Sequence, residues 1–348
     1  MTTTQYGVNH PLAVKAWSRK LFQEALKQTW LAKFMAKDAS AAIQIQDDLK
    51  KGPGDRITIG LRMQLTGNGV LADGTLEGNE EALTTYSDNL VINQLRHAVR
   101  SDGKMSEQRI PFSIREEARM GLQDWWADRI DTALFNQLCG NTGQSDLRFT
   151  GGNATVAPSS NNIYYANGHA SEASVASASA SNIFKLSFID VAVEKAKTLS
   201  PLIRPLKING QDKYLIFLHP YQVTDLRQNT NTGQWLDIEK AAMAGMNSSK
   251  SPIYTGALGE YNGCIIHSST RVKSVTAGVY RAPFLGAQAA AIAFGQNSAP
   301  NKMTWVEELF DYGNQLGVSA GMIFGAKKMV FNSQDFGVIN IATYAAAH

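Results

Sequence analysis

The chain has 348 residues, 44% apolar and only 18% charged, with a formal net charge of +3. That length suits two lobes better than one compact core. Charge below the roughly 25% of ordinary soluble domains points to extensive interfaces, and near-neutrality without a basic stripe argues against a dedicated nucleic-acid binder. The two cysteines, Cys139 and Cys264, form no metal-ligand spacing and no disulfide framework, and read as free thiols of a reducing compartment. Residues 1–11 lack a signal-peptide core, and no apolar run approaches the ~20 residues of a membrane helix. The expectation is a soluble chain with no membrane association.

In chain order, Pro11 opens a helical pattern that runs to about Lys37. Val14, Trp17 and Leu21 share one face and Leu26, Trp30 and Phe34 another, so the apolar stripe shifts midway. The segment reads as an amphipathic helix or as an arm that lies on a neighbouring subunit. After the Lys51-Gly-Pro-Gly loop signal, two strand-like stretches, Arg56–Leu61 and Asp88–Val99, flank a glycine-rich tip. Between Arg62 and Arg96 the charges are Asp73, Glu77, Glu80, Glu81 and Asp88, with no lysine or arginine. An isolated two-stranded ribbon is marginal in water, so this one is expected to be covered.

Ser113 and Glu116 match a capping box at the start of a helix that carries Ile114, Ala118, Leu122, Trp125, Trp126, Ile130, Leu134 and Leu138 at helical spacing, with Gly140 as its stop. At ~1.5 Å per residue it extends roughly 39 Å. Residues 141–181, rich in Gly, Asn, Ser and Ala, read as an exposed loop or linker insertion. Then come a helix over Ser187–Leu199, a strand over Lys213–Leu218, a break at His219-Pro220, helices over Tyr221–Gln228 and Ile238–Met246, and strands near Gly263–His267 and Gln288–Phe294. The stretch from Trp305 to Ala342 is a set of apolar strands broken by glycines, which makes the class α+β.

Motifs for chemistry fail on context. Gly317-Val-Ser319-Ala-Gly321 matches a nucleophile elbow, and Asp335 and His348 follow in hydrolase order. Few residues remain after it for the rest of a hydrolase sheet, and His348 is the terminal residue, so small residues in a packed strand are the competing reading. Gly67-x-Gly69-x-x-Ala72 follows a strand, but what comes next cannot open a helix to hold a pyrophosphate. Gly103-Lys104 lacks the upstream glycine of a phosphate loop. The six histidines have no zinc spacing. No catalytic, cofactor-binding or metal-binding residue is expected.

An arm, a long two-stranded loop, a long helix, an α/β lobe and a return through strands come in an order that resembles the tailed-phage major capsid proteins, whose coat fold is shared with encapsulins. Tyr214-Leu-Ile-Phe-Leu-His-Pro-Tyr-Gln-Val-Thr-Asp-Leu-Arg looks like the strand, turn and helix of that fold's A-domain. Phe284-Leu-Gly-Ala-Gln-Ala-Ala-Ala-Ile-Ala-Phe-Gly, with Tyr312-Gly-Asn-Gln-Leu-Gly downstream, is similar to a subset of these proteins. The resemblance implies an N-terminal arm (1–51), an E-loop (52–100), a P-domain with spine helix and exposed insertion loop (101–182), an A-domain (183–304) and return strands (305–348). It implies hexamers and pentamers that build an icosahedral head around double-stranded DNA, which is contacted weakly and non-specifically. Separate scaffolding and portal proteins would be partners, with decoration proteins as an option, in a virion assembled in the host cytoplasm. The lysine that some members crosslink is missing from this loop, and some fifty residues ahead of it are too few for a fused scaffold. The acidic tip is expected to meet a neighbour's Lys27 and Lys33, or Lys104, Arg109 and Arg115. An encapsulin-like shell, a fibre protein and a serine hydrolase through Ser319 stand as rivals.

Overall fold

Strands where apolar residues alternate or run together, and helices where they recur at 3.6, account for most of the elements in the computed structural model, which describes residues 30–46, 54–109, 113–178, 181–208, 210–229, 259–295 and 304–348. Strands β1 (Met35–Ala36), β2 (Ile43–Gln46), β3 (Arg56–Arg62), β4 (Thr85–Val91) and β5 (Asn93–Arg100) precede a short helix, Lys104–Arg109, and a long one, Ile114–Leu138. Next come β6 (Ile163–Tyr165), the helices Glu172–Ser177 and Ser187–Thr198, β7 (Leu206–Ile208), β8 (Gln211–Leu218) and the helix Pro220–Gln228. The remaining strands are β9 (Gly259–Tyr261), β10 (Cys264–Ser268), β11 (Ser274–Thr276), β12 (Val279–Leu285), β13 (Ala290–Phe294), β14 (Thr304–Phe310), β15 (Gln315–Lys328), β16 (Val330–Phe331), β17 (Gln334–Asp335) and β18 (Val338–Tyr344).

They form two main sheets. The first runs β1-β2-β13-β15-β14, with β5 also on β15; the second runs β6-β18-β12-β8-β10-β9, with β11 on β12 and β7 on β8. The long helix packs on both. Its Trp126 meets Phe324 of the first sheet edge-on at 5.9 Å, and its Phe135 meets Phe217 of the second at 5.5 Å. A single core therefore joins helix and sheets. The outer face of the second sheet makes another core with the Ser187–Thr198 and Pro220–Gln228 helices. In β8, Leu215 and Phe217 enter the first core while Tyr214, Ile216 and Leu218 enter the second. That two-sided burial explains why the strand reads as one apolar run.

The ends of the long helix are secured by side chains. Ser113 Oγ accepts from the Glu116 amide at 3.5 Å, and Gly140 turns the chain away at φ +60°. The last carbonyls are covered from other elements. Asn340 Nδ2 donates to Leu138 O at 3.1 Å, and Arg281 Nη1 donates to Cys139 O at 3.1 Å and Gly140 O at 2.6 Å. A cation at the negative end of a helix is favourable, and Arg281 is itself buried and paired with Glu172.

Three expectations change. The helix expected from Pro11 to about Lys37 lies mostly outside the described residues; inside them, Trp30–Phe34 is a 3-10 turn and Met35–Ala36 a strand. Pairing of Met35 and Ala36 with Ile43 and Gln44, and the Leu31 amide on Asp131 Oδ1 at 3.2 Å, override local helical preference. Residues 141–178 are not an exposed loop: Asn153, Asn162 and Val175 are buried, β6 pairs with β18, and Glu172–Ser177 is a capped helix. Composition misled because its polar residues satisfy backbone groups of the core, as when Asn162 Nδ2 donates to Asp335 O and Val338 O at 3.0 and 2.9 Å. The stretch expected as one strand, Asp88–Val99, breaks at Ile92 into β4 and β5, which belong to different sheets. The helix expected over Ile238–Met246 lies outside the described residues, and no described helix is long and apolar enough to cross a membrane.

One buried ion pair sits where β15 ends. Lys328 Nζ lies 2.8 Å from Asp335 Oδ1, each side chain is 1% exposed, and Lys328 Nζ also donates to Val156 O at 3.1 Å. Burial pulls the lysine pKa down and pushes the aspartate pKa up, both against the ionised forms. Removing one partner strands the other charge in the core. Asp335→Ala should cost about 3–5 kcal/mol, whereas Lys328→Met with Asp335→Leu should cost far less. Urea unfolding of the two variants beside the unmodified chain checks this; a cheap single and a costly double replacement would contradict it.

Candidate assembly surface

The β3–β4 ribbon divides into an anchored base and a free tip. At the base, Ile57, Leu90 and Ile92 pack on Ala291, Ala293, Met329 and Phe331. Lys327 pairs with Asp88 and donates to Asn89 O at 3.0 Å, and the Val330 amide donates to Asp88 Oδ2 at 3.1 Å. The expected cover for the ribbon is thus supplied in part by its own chain.

Where β4 passes into β5, a side chain acts as a strand. Asn153 Oδ1 accepts from Val91 N at 2.9 Å, and its Nδ2 donates to Val91 O at 2.8 Å, Gly151 O at 3.0 Å and Ala326 O at 3.2 Å. The amide copies the donor-acceptor pair of a peptide unit and clips the ribbon to β15. The approach is close enough to require glycine on the other side: a Cβ at Gly325 would sit 2.1 Å from Val91 O. Neither residue was singled out by the sequence. Asn153 lies in a stretch whose composition reads as loop, and only its burial reveals its task.

Beyond Arg62 and Thr85 the tip, residues 63–84, has no regular secondary structure. Its apolar side chains face water: Leu71 is 90% exposed and Leu76 62%, with Leu65 and Leu83 also exposed. The acids divide. Glu81 Oε1 accepts from Thr66 N at 2.8 Å and Thr66 Oγ1 at 3.2 Å, and Glu81 Oε2 accepts from Gly67 N at 2.7 Å. These amides hold its carboxyl below the ordinary carboxylate range. Glu80 Oε2 accepts from Gly78 N at 2.8 Å. Of the tip's four acids, then, two turn inward to the loop's own backbone, which no charge pattern could disclose.

The basic candidates are spread over other elements. Arg115 pairs with buried Glu307 at 2.7 Å at the start of the long helix. Lys104 and Arg109 are exposed on the short helix, and Lys33 is exposed in the 3-10 turn before β1. Lys27 lies outside the described residues. The β14–β15 hairpin adds a second projection, unforeseen in the sequence: Asp311 and Tyr312 adopt left-handed φ of 48° and 50°, and Tyr312 is fully exposed.

The hydrolase constellation does not assemble. Ser319 lies within β15, paired with Val306 of β14 and Ala98 of β5, and its Oγ donates to Val306 O at 3.2 Å. A strand interior cannot make the sharp strand-to-helix turn that exposes a nucleophile. Asp335 belongs to Lys328, and His348 Nε2 to Asp225 Oδ1 at 3.1 Å. Gly67 and Gly69 are in the irregular tip, with no helix behind them. No cluster of three or more potential metal ligands occurs among the described residues. Cys139 and Cys264 are buried and free, and burial raises the Cys139 thiol to about 11.

Comparison with known proteins gives one answer throughout. The family model described as phage capsid protein matches residues 5–347. A major capsid protein of Pseudomonas phage KPP25 is 28% identical, over 95% of this chain and 94% of that protein. Among solved structures, the capsid of Ralstonia phage GP4 aligns with a TM-score of 0.78 at 30% identity, covering 99% of each chain. The capsid protein of cyanophage Pam1 shares the fold, with a TM-score of 0.72 at 18% identity over 100% of this chain and 97% of that one.

Two outcomes follow from this geometry. Asn153→Ala leaves Val91 without its partner and should cost about 2–3 kcal/mol, and Gly325→Ala, which pushes on the same carbonyl, about 1–3 kcal/mol. Both should raise hydrogen exchange in β3 and β4 ahead of the second sheet; uniform exchange changes would contradict the clip. Ser319→Ala should leave stability within about 1 kcal/mol, and a fluorophosphonate probe should form no adduct at Ser319; a covalent adduct there would reinstate the hydrolase reading.

Proposed function

The chain belongs to the phage capsid protein family, and we propose that it is the major shell subunit, assembling as hexamers and pentamers into a closed icosahedral head around double-stranded DNA. The observation that carries this reading is the tip of the β3–β4 ribbon. Leu65, Leu71, Leu76 and Leu83 are exposed there on a segment whose base is fixed to the body by Asn153 and Lys327. A rigidly mounted projection with uncovered apolar side chains suits burial against a second copy. Head-to-tail contacts of this kind close into rings when the rotation permits.

On this reading residues 1–51 form the arm, 52–100 the E-loop, 101–182 the P-domain, 183–304 the A-domain and 305–348 the return strands. Asp73 and Glu77, the tip acids that do not turn inward, meet basic residues of the neighbour; Lys33, Lys104 and Arg109 are the exposed candidates. Charge at such a contact sets orientation more than strength. A net charge of +3 suits a wall that does not grip its genome. Scaffolding and portal proteins are separate partners, and assembly takes place in the host cytoplasm.

Purified protein should form closed particles, seen by negative-stain microscopy and sedimentation, under some condition of salt and concentration. Asp73→Lys with Glu77→Lys should leave circular dichroism unchanged and sharply reduce closed particles, an effect that weakens as salt screens the contact. Normal particles from this variant would remove the charge pairing. A chain that stays monomeric at every concentration, with its phage partners present, would remove the shell reading. Particles made in infected cells that hold a cargo enzyme and no DNA would favour a compartment shell.

A further inference from the structure

The strand ladder of the ribbon stops before the tip begins. β3 and β4 pair from Arg56↔Val91 to Arg62↔Thr85, and Met63 N adds one more bond, to Thr84 O at 3.0 Å. The next two amides with partners, Thr66 and Gly67, are taken up by a side chain, the Glu81 carboxylate, at 2.8 and 2.7 Å, with the Thr66 hydroxyl on Oε1 at 3.2 Å. One carboxylate thus replaces the ladder at the neck of the loop. Inside the neck the loop is held by short-range bonds only: Gly74 N to Leu71 O at 3.1 Å, Asn79 N to Leu76 O at 3.0 Å, Asn79 Nδ2 to Thr75 O at 2.9 Å and Gly78 N to Glu80 Oε2 at 2.8 Å. These shape the turns that carry Leu71 and Leu76 but do not join the two sides of the neck.

We propose that Glu81 is a positioning residue for assembly: its carboxylate clasps the backbone of Thr66 and Gly67 and so fixes the shape in which the tip offers Leu71 and Leu76 to a second copy. The inference rests on the shell reading above and names the group that prepares that contact. Two observations support it independently. The donors are consecutive backbone amides, an arrangement suited to an anion and better satisfied by a charged acceptor than by a neutral one. Position 67 is also a glycine where a side chain would intrude: a Cβ there would lie 2.8 Å from Glu81 Oε2. The glycine leaves room for the carboxylate. Among the acids of the tip, Glu80 accepts from the nearby Gly78 N at 2.8 Å and does not bridge the neck, so charge and clasp can be separated by mutation.

The test compares Glu81→Gln, Gly67→Ala and Glu80→Gln with the unmodified chain, by amide exchange of the unassembled protein and by particle count. Glu81→Gln turns an amide donor toward a backbone donor. Gly67→Ala displaces the carboxylate without changing any charge. Both should speed exchange at Thr66 and Gly67 by about tenfold, the loss of one bond to a charged group, and both should cut closed particles. Exchange at Ile57–Leu61 should stay slow, which shows that the ribbon base remains folded. Glu80→Gln, which removes the same charge one residue away without touching the clasp, should change neither the exchange at Thr66 and Gly67 nor the particle count. Unchanged exchange or normal particles in both clasp variants would overturn the proposal, and so would an equal loss in Glu80→Gln, because the effect would then be one of charge. If the unmodified chain forms no particles, the shell reading fails, and the exchange data still decide whether the clasp exists.

Discussion

A helix of 25 residues that buries side chains against two sheets is the constraint on which the rest of the fold depends. Packed on one sheet it would leave half of Trp126, Ile130, Leu134 and Phe135 in water; between two it becomes the common wall of both lobes. The arrangement puts its C-terminal carbonyls deep in the protein, where unmet acceptors are costly. Arg281 and Asn340 meet them from strands β12 and β18 of the second sheet. The first sheet is held from the other end, by Arg115 on Glu307. Helix and sheets are therefore tied by charge and hydrogen bonds at both termini as well as by apolar packing along the length.

The ribbon shows the opposite balance. Its base is fixed by a buried amide, a buried glycine contact and an ion pair, and its tip by little beyond one carboxylate and local turns. Such a gradient places conformational freedom at the part proposed to meet a second copy and keeps it out of the part that sets direction. Members of a shell sit in similar but unequal environments, so a stiff mount with an adjustable end is well suited to the task.

Much of this was readable in the sequence because it rests on periodicity. The long helix carried its cap, its apolar stripe and its glycine stop in plain order, and the continuous apolar run Tyr214–Leu218 announced a strand. What was hidden rests on contacts between distant residues. Nothing local marks Asn153 as the partner of Val91, or Glu81 as the partner of Thr66. The break at Ile92 is invisible because β4 and β5 are both strands and differ only in which sheet claims them. Composition misread residues 141–178 for a related reason: Asn and Thr side chains there do the work of backbone. The tip was legible as an acid-only, glycine-rich loop, but not the division of its acids between inward and outward roles.

The strand that enters two cores at once has a further consequence. When both faces of a strand are apolar, sliding it by one residue no longer moves oil into water, and the usual penalty for misalignment vanishes. The second sheet is centred on such strands. What remains to mark the right alignment is polar. Tyr214 Oη reaches Ile203 O at 3.1 Å, Gln222 Nε2 reaches Thr343 Oγ1 at 2.7 Å, and Asn340 caps the long helix. A one-residue slip of β18 would bury Asn340 and Thr343 among hydrocarbon with no partner. In this sheet the apolar residues supply cohesion, and a few buried polar ones supply the address.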